Sequence, residues 1–118
     1  MKFGLNEQVV EQIIETLAGF PQIEEAIIYG SRAKGNYKPG SDIDLTLKGN
    51  SINLRVMNGI SRKLHGLLIP YTVDLSIYHH IDDRDLLEHI NRVGVVFYQA
   101  SKVRIRTADE NTLAKVSF

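Results

Sequence analysis

Gly30-Ser31-Arg32-Ala33-Lys34-Gly35, a turn-rich gap, and then Ser41-Asp42-Ile43-Asp44-Leu45-Thr46-Leu47 form the stretch on which the reading of this chain turns. From Asp42 to Leu47 polar and apolar residues alternate, so Asp42, Asp44 and Thr46 share one face of a strand and Ile43, Leu45 and Leu47 the other. The apolar face belongs to a core, and the polar face must look into a cleft. Upstream, Glu25 to Tyr29 carries the compact run Ala26-Ile27-Ile28-Tyr29, which predicts a buried strand ending in a tight turn at Gly30. Between the two strands, Gly35, Asn36, Pro39 and Gly40 predict a loop, the kind of segment on which chemistry usually sits.

Outward from this stretch, Val9, Val10, Ile13, Ile14 and Leu17 recur at helical spacing between Asn6 and Ala18, with Gly19 and Pro21 as a stop. Asn50 or Ser51 is placed to cap a second helix whose Met57, Ile60, Leu64, Leu67 and Leu68 form one stripe, before Pro70 blocks continuation. Thr72 to Ile77 alternates again, with Thr72, Asp74 and Ser76 on one side. Asp82 reads as the N-cap of a third helix, Ile81 and Leu86 as its hydrophobic staple, and Gly94 as its C-terminal cap. Val95 to Tyr98 supplies a last strand. The order helix, strand, strand, helix, strand, helix, strand predicts an α/β (α+β) domain, with helices packed against a mixed sheet. Residues 1–100 read as one domain. In the tail, 101–118, Lys102, Arg104 and Arg106 alternate with Val103 and Ile105, a pattern open to an edge strand, a partner-binding arm or a frayed end.

A chain of 118 residues is the size of one ordinary domain, and its 43% apolar and 24% charged content is that of a folded globular protein. Lys plus Arg and Asp plus Glu each number 14, so no global positive field draws the protein onto nucleic acid or an anionic membrane. Direct nucleic-acid binding is not expected. The absence of cysteine excludes disulfides and thiolate metal sites. No apolar run has membrane-spanning length and the N-terminus is no signal peptide, so a cytoplasmic location is expected.

Residues i and i+2 of a strand lie about 6.6–6.8 Å apart with side chains on one face, a span suited to gripping two cations roughly 3.5–4 Å apart. Asp42 and Asp44 have this spacing. If the Asp74 strand pairs beside them, a third carboxylate enters the same cleft, and three oxygen donors of one charge call for Mg²⁺ or Mn²⁺. Gly30-Ser31 offers the complementary half, because a glycine at a strand end lets backbone N–H groups and a serine hydroxyl approach phosphate oxygens. Arg32, Lys34 and Lys38 are candidates to offset phosphate charge, set against the plainer reading of solvated loop cations.

Plainer readings win elsewhere. Asp82, Asp83 and Asp85 sit where carboxylates favour a helix N-terminus. His79 and His80, adjacent on an extended chain, point apart and read as solvated, while His65 and His89 lie on predicted helices without a spaced metal partner. Gly30-x-x-x-x-Gly35 does not continue as a P-loop, because Asn36 stands where the lysine is needed.

Taken together, Gly30-Ser31, the Asp42-Ile43-Asp44 triplet that follows and the later Asp74 resemble the signature of the DNA polymerase β type nucleotidyltransferase superfamily. Within it the chain is most similar to the minimal nucleotidyltransferase domains of prokaryotic HEPN-MNT toxin-antitoxin pairs, over Asn6 to about Tyr98. The resemblance implies a polymerase-β-like nucleotidyltransferase core. It also implies roles: Gly30, Ser31 and Arg32 at the nucleotide, Asp42 and Asp44 on both of two Mg²⁺ or Mn²⁺ ions, and Asp74 on the catalytic ion beside the attacking hydroxyl. The implied reaction is transfer of a nucleoside monophosphate, AMP from ATP, to a hydroxyl. The implied acceptor lies on a helical HEPN-type toxin, with this chain as antitoxin in a homo- or hetero-oligomer. Two alternatives stand beside it: a non-catalytic antitoxin that occludes its partner, and a subunit of a small-molecule nucleotidyltransferase acting on an aminoglycoside-like alcohol.

Overall fold

The computed structural model describes residues 2–100. The tail from 101 onward, with the readings made of it, lies outside them. Among the described residues four helices and four strands follow in order: α1 (Glu7–Ala18), β1 (Glu25–Tyr29), α2 (Gly30–Lys34), β2 (Ile43–Lys48), α3 (Leu54–His65), β3 (Val73–Ile77), α4 (Arg84–Val93) and β4 (Val95–Gln99). The strands form one mixed sheet in the order β3-β2-β1-β4, antiparallel except for the β2–β3 pair. Parallel neighbours need a crossover, and α3 supplies it.

Strand alternation sorts the side chains onto two faces. Ala26 and Ile28 of β1, Ile43, Leu45 and Leu47 of β2, and Ile77 of β3 bury against α1 and α3 in the main core. Ile27 and Tyr29 point the other way and pack with Ile90 of α4, flanked by Tyr78, Ile81 and Leu86. Thus α4 covers the β1 portion of that face, while Asp44 and Asp74 stand on the β2–β3 portion, Asp44 half-buried and Asp74 exposed. The β1–β4 pairing slips by one residue between Ala26 and Ile27, an irregularity that lets Phe97 and Tyr98 both join the core.

Local chemistry moves several predicted boundaries. The second long helix is capped by Asn53, whose Oδ1 accepts from Val56 N at 2.9 Å, and not by Asn50 or Ser51. The reason is Ile52: it is buried, and the turn closed by Ile52 N on Gly49 O (3.2 Å) leaves Asn50 and Ser51 at its exposed tip. That helix ends at His65, so Leu67 and Leu68 lie beyond it, and Leu68 is 98% exposed instead of sharing the apolar stripe. Asp83, not Asp82, caps α4, accepting from Asp85 N at 2.9 Å and Leu86 N at 3.3 Å. A 3-10 turn at Tyr78–His80 delays that start; in it the His79 and His80 rings meet edge to face, centroids 4.7 Å apart, instead of diverging. The predicted loop after β1 opens with a short helix, α2, closed by Gly35 at φ 88°.

Leu45 is fully buried on the central β2 strand. Truncation to alanine there should cost about 2–5 kcal/mol of stability, as large-to-small core changes do. Urea denaturation of Leu45→Ala checks this, with a midpoint shift at unchanged slope expected.

Candidate active site

The ladder brings two of the three predicted carboxylates, Asp44 and Asp74, together. Asp44 has two direct Cα partners, Tyr29 on the antiparallel side and Asp74 on the parallel side. Asp42 stands one residue ahead of β2, exposed, outside the ladder. Burial pushes the Asp44 carboxyl above its ordinary range, the Asp74 and Asp42 charges push it further, and His89 opposes them. Tyr29 is affected as well: burial raises its phenol, the Ser76 hydroxyl pulls it back, and Asp44 and Asp74 raise it again.

Gly30 forms the other wall. Its φ is 73°, and a Cβ built there would strike the Asp44 carboxylate, so both backbone conformation and space demand glycine. Its N–H donates to His89 Nε2 of α4 at 3.2 Å. The His89 ring also meets Tyr29 edge-on at 6.2 Å. His89 is therefore a site residue that the sequence reading missed. It lies 59 positions from Gly30, and no local pattern signals a contact across that separation. Ser31 follows in the first turn of α2, half-buried, its carbonyl accepting from Gly35 N at 2.9 Å.

Arg32 is placed differently from the phosphate contact expected of it. Its side chain is 2% exposed. Nε and Nη2 donate to Ser41 O at 3.0 and 2.8 Å, Nη1 donates to Phe3 O at 2.9 Å, and Nη2 also approaches Pro39 O at 3.5 Å. The guanidinium carbon lies 4.8 Å from the Tyr71 ring centroid and 5.2 Å from that of Tyr37. Hydrogen bonds from a charged donor contribute about 1.5–3 kcal/mol each, enough in combination to offset the several kcal/mol that burying a lone guanidinium costs. Lys34 and Lys38 are exposed on the same loop.

Asp42, Asp44 and Asp74 present only carboxylate oxygens, a donor set that fits a hard divalent cation such as Mg²⁺ or Mn²⁺. The charge pressure on Asp44 is what such a cation would relieve. Among the described residues, no three His, Asp or Glu side chains are gathered into a ready-made cage.

A carboxylate-bearing mixed sheet with a glycine turn against its central strand is the architecture of a nucleotidyltransferase core. The comparisons agree: the family model for the polymerase beta nucleotidyltransferase domain matches residues 11–103, and the chain belongs to that family. No match was found among curated protein sequences. Several solved structures share the fold, three of them at full or nearly full coverage. One, a toxin-antitoxin with AMP-PNP, is 18% identical with a TM-score of 0.63, covering 92% of this chain and 98% of that one. A mutant MntA-HpeT toxin-antitoxin is 17% identical with a TM-score of 0.63, covering 96% and 92%. The third, from Shewanella oneidensis, is a tri-AMPylated HEPN toxin in complex with MNT antitoxin, 15% identical with a TM-score of 0.60, covering 94% and 87%. Among the described residues no helix is long and apolar enough to cross a membrane.

The raised Asp44 carboxyl has a definite sign in stability. Between the ordinary carboxylate pKa and the raised one the folded state holds more protons than the unfolded, so stability falls as pH rises through that window. Asp44→Asn should therefore melt at or above the wild-type temperature at pH 7, with the gap closing as pH falls. Calorimetric melting of both proteins from pH 7 down to pH 4 decides it, and a lower midpoint for the variant at pH 7 would show Asp44 to be a stabilising residue. Gly30→Ala should behave oppositely, losing stability from a strained φ and a displaced Asp44.

Proposed function

We propose that this chain is a metal-dependent nucleotidyltransferase that moves AMP from ATP onto a hydroxyl of a HEPN-type partner protein, and so acts as an antitoxin. The observation that carries the proposal is the pairing of Asp44 with Asp74 directly beside the Gly30-Ser31 turn. One wall offers backbone and hydroxyl groups to a polyphosphate, the other a cluster of acidic oxygens that needs positive charge. The partner and the nucleotide are supported by the fold's likeness to the AMP-PNP complex and to the antitoxin bound to an AMPylated HEPN toxin.

In this reading Ser31 holds the terminal phosphates through its hydroxyl, and Gly30, having no side chain, lets the turn approach them. Asp42 and Asp44 would hold two Mg²⁺ or Mn²⁺ ions, and Asp74 one of them. Those ions supply charge neutralisation of the phosphates and a lowered pKa for the acceptor hydroxyl. In this reading Asp74, exposed on the edge strand of the sheet, takes the hydroxyl proton. The acceptor oxygen forms a bond to the α-phosphorus, the bond from that phosphorus to the bridging oxygen breaks, and pyrophosphate leaves with the electron pair. His89 keeps the turn in register by accepting from Gly30 N–H. An adenylate attached to the partner adds bulk and negative charge, both of which oppose binding of an anionic RNA substrate.

The test is intact-mass measurement of a HEPN-type partner after incubation with this protein, Mg²⁺ and ATP. One or more adenylate additions are expected, none of them with Asp44→Asn or without divalent cation. A stable, inactive complex whose partner mass never changes would replace catalysis with occlusion. Modification of an added aminoglycoside instead would favour a small-molecule acceptor.

A further inference from the structure

The buried Arg32 joins more of the site than any other side chain described. Through Ser41 O it holds the residue immediately before Asp42, and through its own position on α2 it is covalently tied to Ser31. Its other anchors are Phe3 O, in the N-terminal turn, and the rings of Tyr37 and Tyr71. Tyr71 lies two residues ahead of β3, the strand that carries Asp74. Among the described residues no carboxylate pairs with the guanidinium, so its charge is spent on backbone carbonyls and aromatic faces.

Asp42 needs such a support more than the other two carboxylates do. Asp44 and Asp74 are fixed by the β2–β3 ladder, which begins at Ile43–Val73, whereas Asp42 has no ladder partner. Its position follows from Ser41, and Ser41 is held in a closed turn with Lys38: Ser41 N donates to Lys38 O at 3.0 Å and Lys38 N to Ser41 Oγ at 2.9 Å. Arg32 then pins that turn to the protein. At the far side the N-terminal turn, closed by Lys2 and Leu5 backbone bonds of 3.2 and 2.8 Å, carries Phe3 and Gly4 at positive φ. Tyr37 sits so tightly on Gly4 that a Cβ there would overlap its ring. Residues 2–5 precede the part of the chain matched by the family model, yet they anchor the clamp.

We infer that Arg32 is a positioning residue, a buried clamp that sets the separation between the Ser31 turn and Asp42, anchored on the N-terminal Phe3-Gly4 turn. This rests on the nucleotidyltransferase reading for its effect on function, but the clamp itself does not. Lysine keeps the charge and loses the planar fork that reaches Ser41 O and Phe3 O together, so Arg32→Lys separates geometry from charge. Gly4→Ala unseats Tyr37 without touching the carboxylates.

The experiment uses the full chain as wild type, Arg32→Lys, Arg32→Ala and Gly4→Ala. Amide hydrogen exchange is followed without ligand, and affinity for a Mn²⁺-loaded non-hydrolysable ATP analogue is measured by calorimetry. In Arg32→Lys, exchange over residues 35–42 should quicken about tenfold while β1 and β2 keep their protection, and analogue affinity should fall by about tenfold to a hundredfold, the scale of a small misplacement. Gly4→Ala should move both in the same direction by less. In Arg32→Ala, millimolar methylguanidinium should restore affinity and methylammonium should not. Wild-type exchange over 35–42 in Arg32→Lys overturns the clamp, and so does a loss of protection spread evenly over the sheet. If Arg32→Ala does not fold, Arg32→Lys and Gly4→Ala decide. Failure of the wild-type protein to bind the analogue counts against the proposed function, and the exchange comparison still judges the clamp.

Discussion

Asp44 and Asp74 are neighbours in a parallel ladder, and the rest of the fold is arranged around the repulsion that this pairing creates. Parallel pairing puts equivalent faces of β2 and β3 side by side, so the alternation that buries Ile43, Leu45 and Leu47 on one face leaves both carboxylates on the other. Were that second face covered completely, two adjacent charges would be stranded in a low-dielectric interior at a cost of several kcal/mol. Here α4 covers β1 with Ile90 against Ile27 and Tyr29; on the β2–β3 half Asp74 is exposed and Asp44 half-buried, while Thr46, further along the same face of β2, is buried. Asp44, at the border between the two, carries the strain as a raised carboxyl pKa.

Much of this was legible in the sequence because it depends on period. Strand alternation has a fixed repeat of two, so the faces of β2 and β3 could be assigned without any tertiary knowledge, and the grouping of Asp44 with Asp74 needed only that the strands be adjacent. The helix α1 was readable for the same kind of reason, with Val9, Ile13 and Leu17 buried at helical spacing. Boundaries failed where burial competes with propensity. Asn50 and Ser51 are good caps by type, but Ile52 must enter the core, and the turn that buries it hands the capping position to Asn53.

Long-range contacts were beyond reach for a different reason. The bond from Gly30 N to His89 Nε2 and the placement of Arg32 among Phe3, Tyr37, Pro39, Ser41 and Tyr71 join segments whose local sequence carries no trace of the partner. An arginine beside a Gly-Ser turn suggests an anion contact by type alone. Its burial reverses the inference, since a guanidinium enclosed by carbonyls has its donors committed before any ligand arrives. Residue type names the chemistry a side chain can do, and packing decides which of those options remains available.

The strain at Asp44 and the chemistry proposed for the site are two expressions of one quantity. Partial burial disfavours the lone carboxylate, and the same removal from water strengthens its attraction to a cation. A ligand that binds only the folded state stabilises it by mass action, so the free energy lost to the crowding of Asp44 and Asp74 would be recovered on binding the cation proposed for the site. Gly30 belongs to the same balance. It brings the turn against Asp44 at the conformational cost of a positive φ, which glycine alone meets cheaply, and His89 satisfies the N–H that this close approach turns inward. A site of this kind is kept by geometry at the expense of the unliganded protein's stability. That is why removing the charge at residue 44 and adding a methyl at residue 30 are expected to act in opposite directions on the fold, although both remove the arrangement on which the proposed transfer depends.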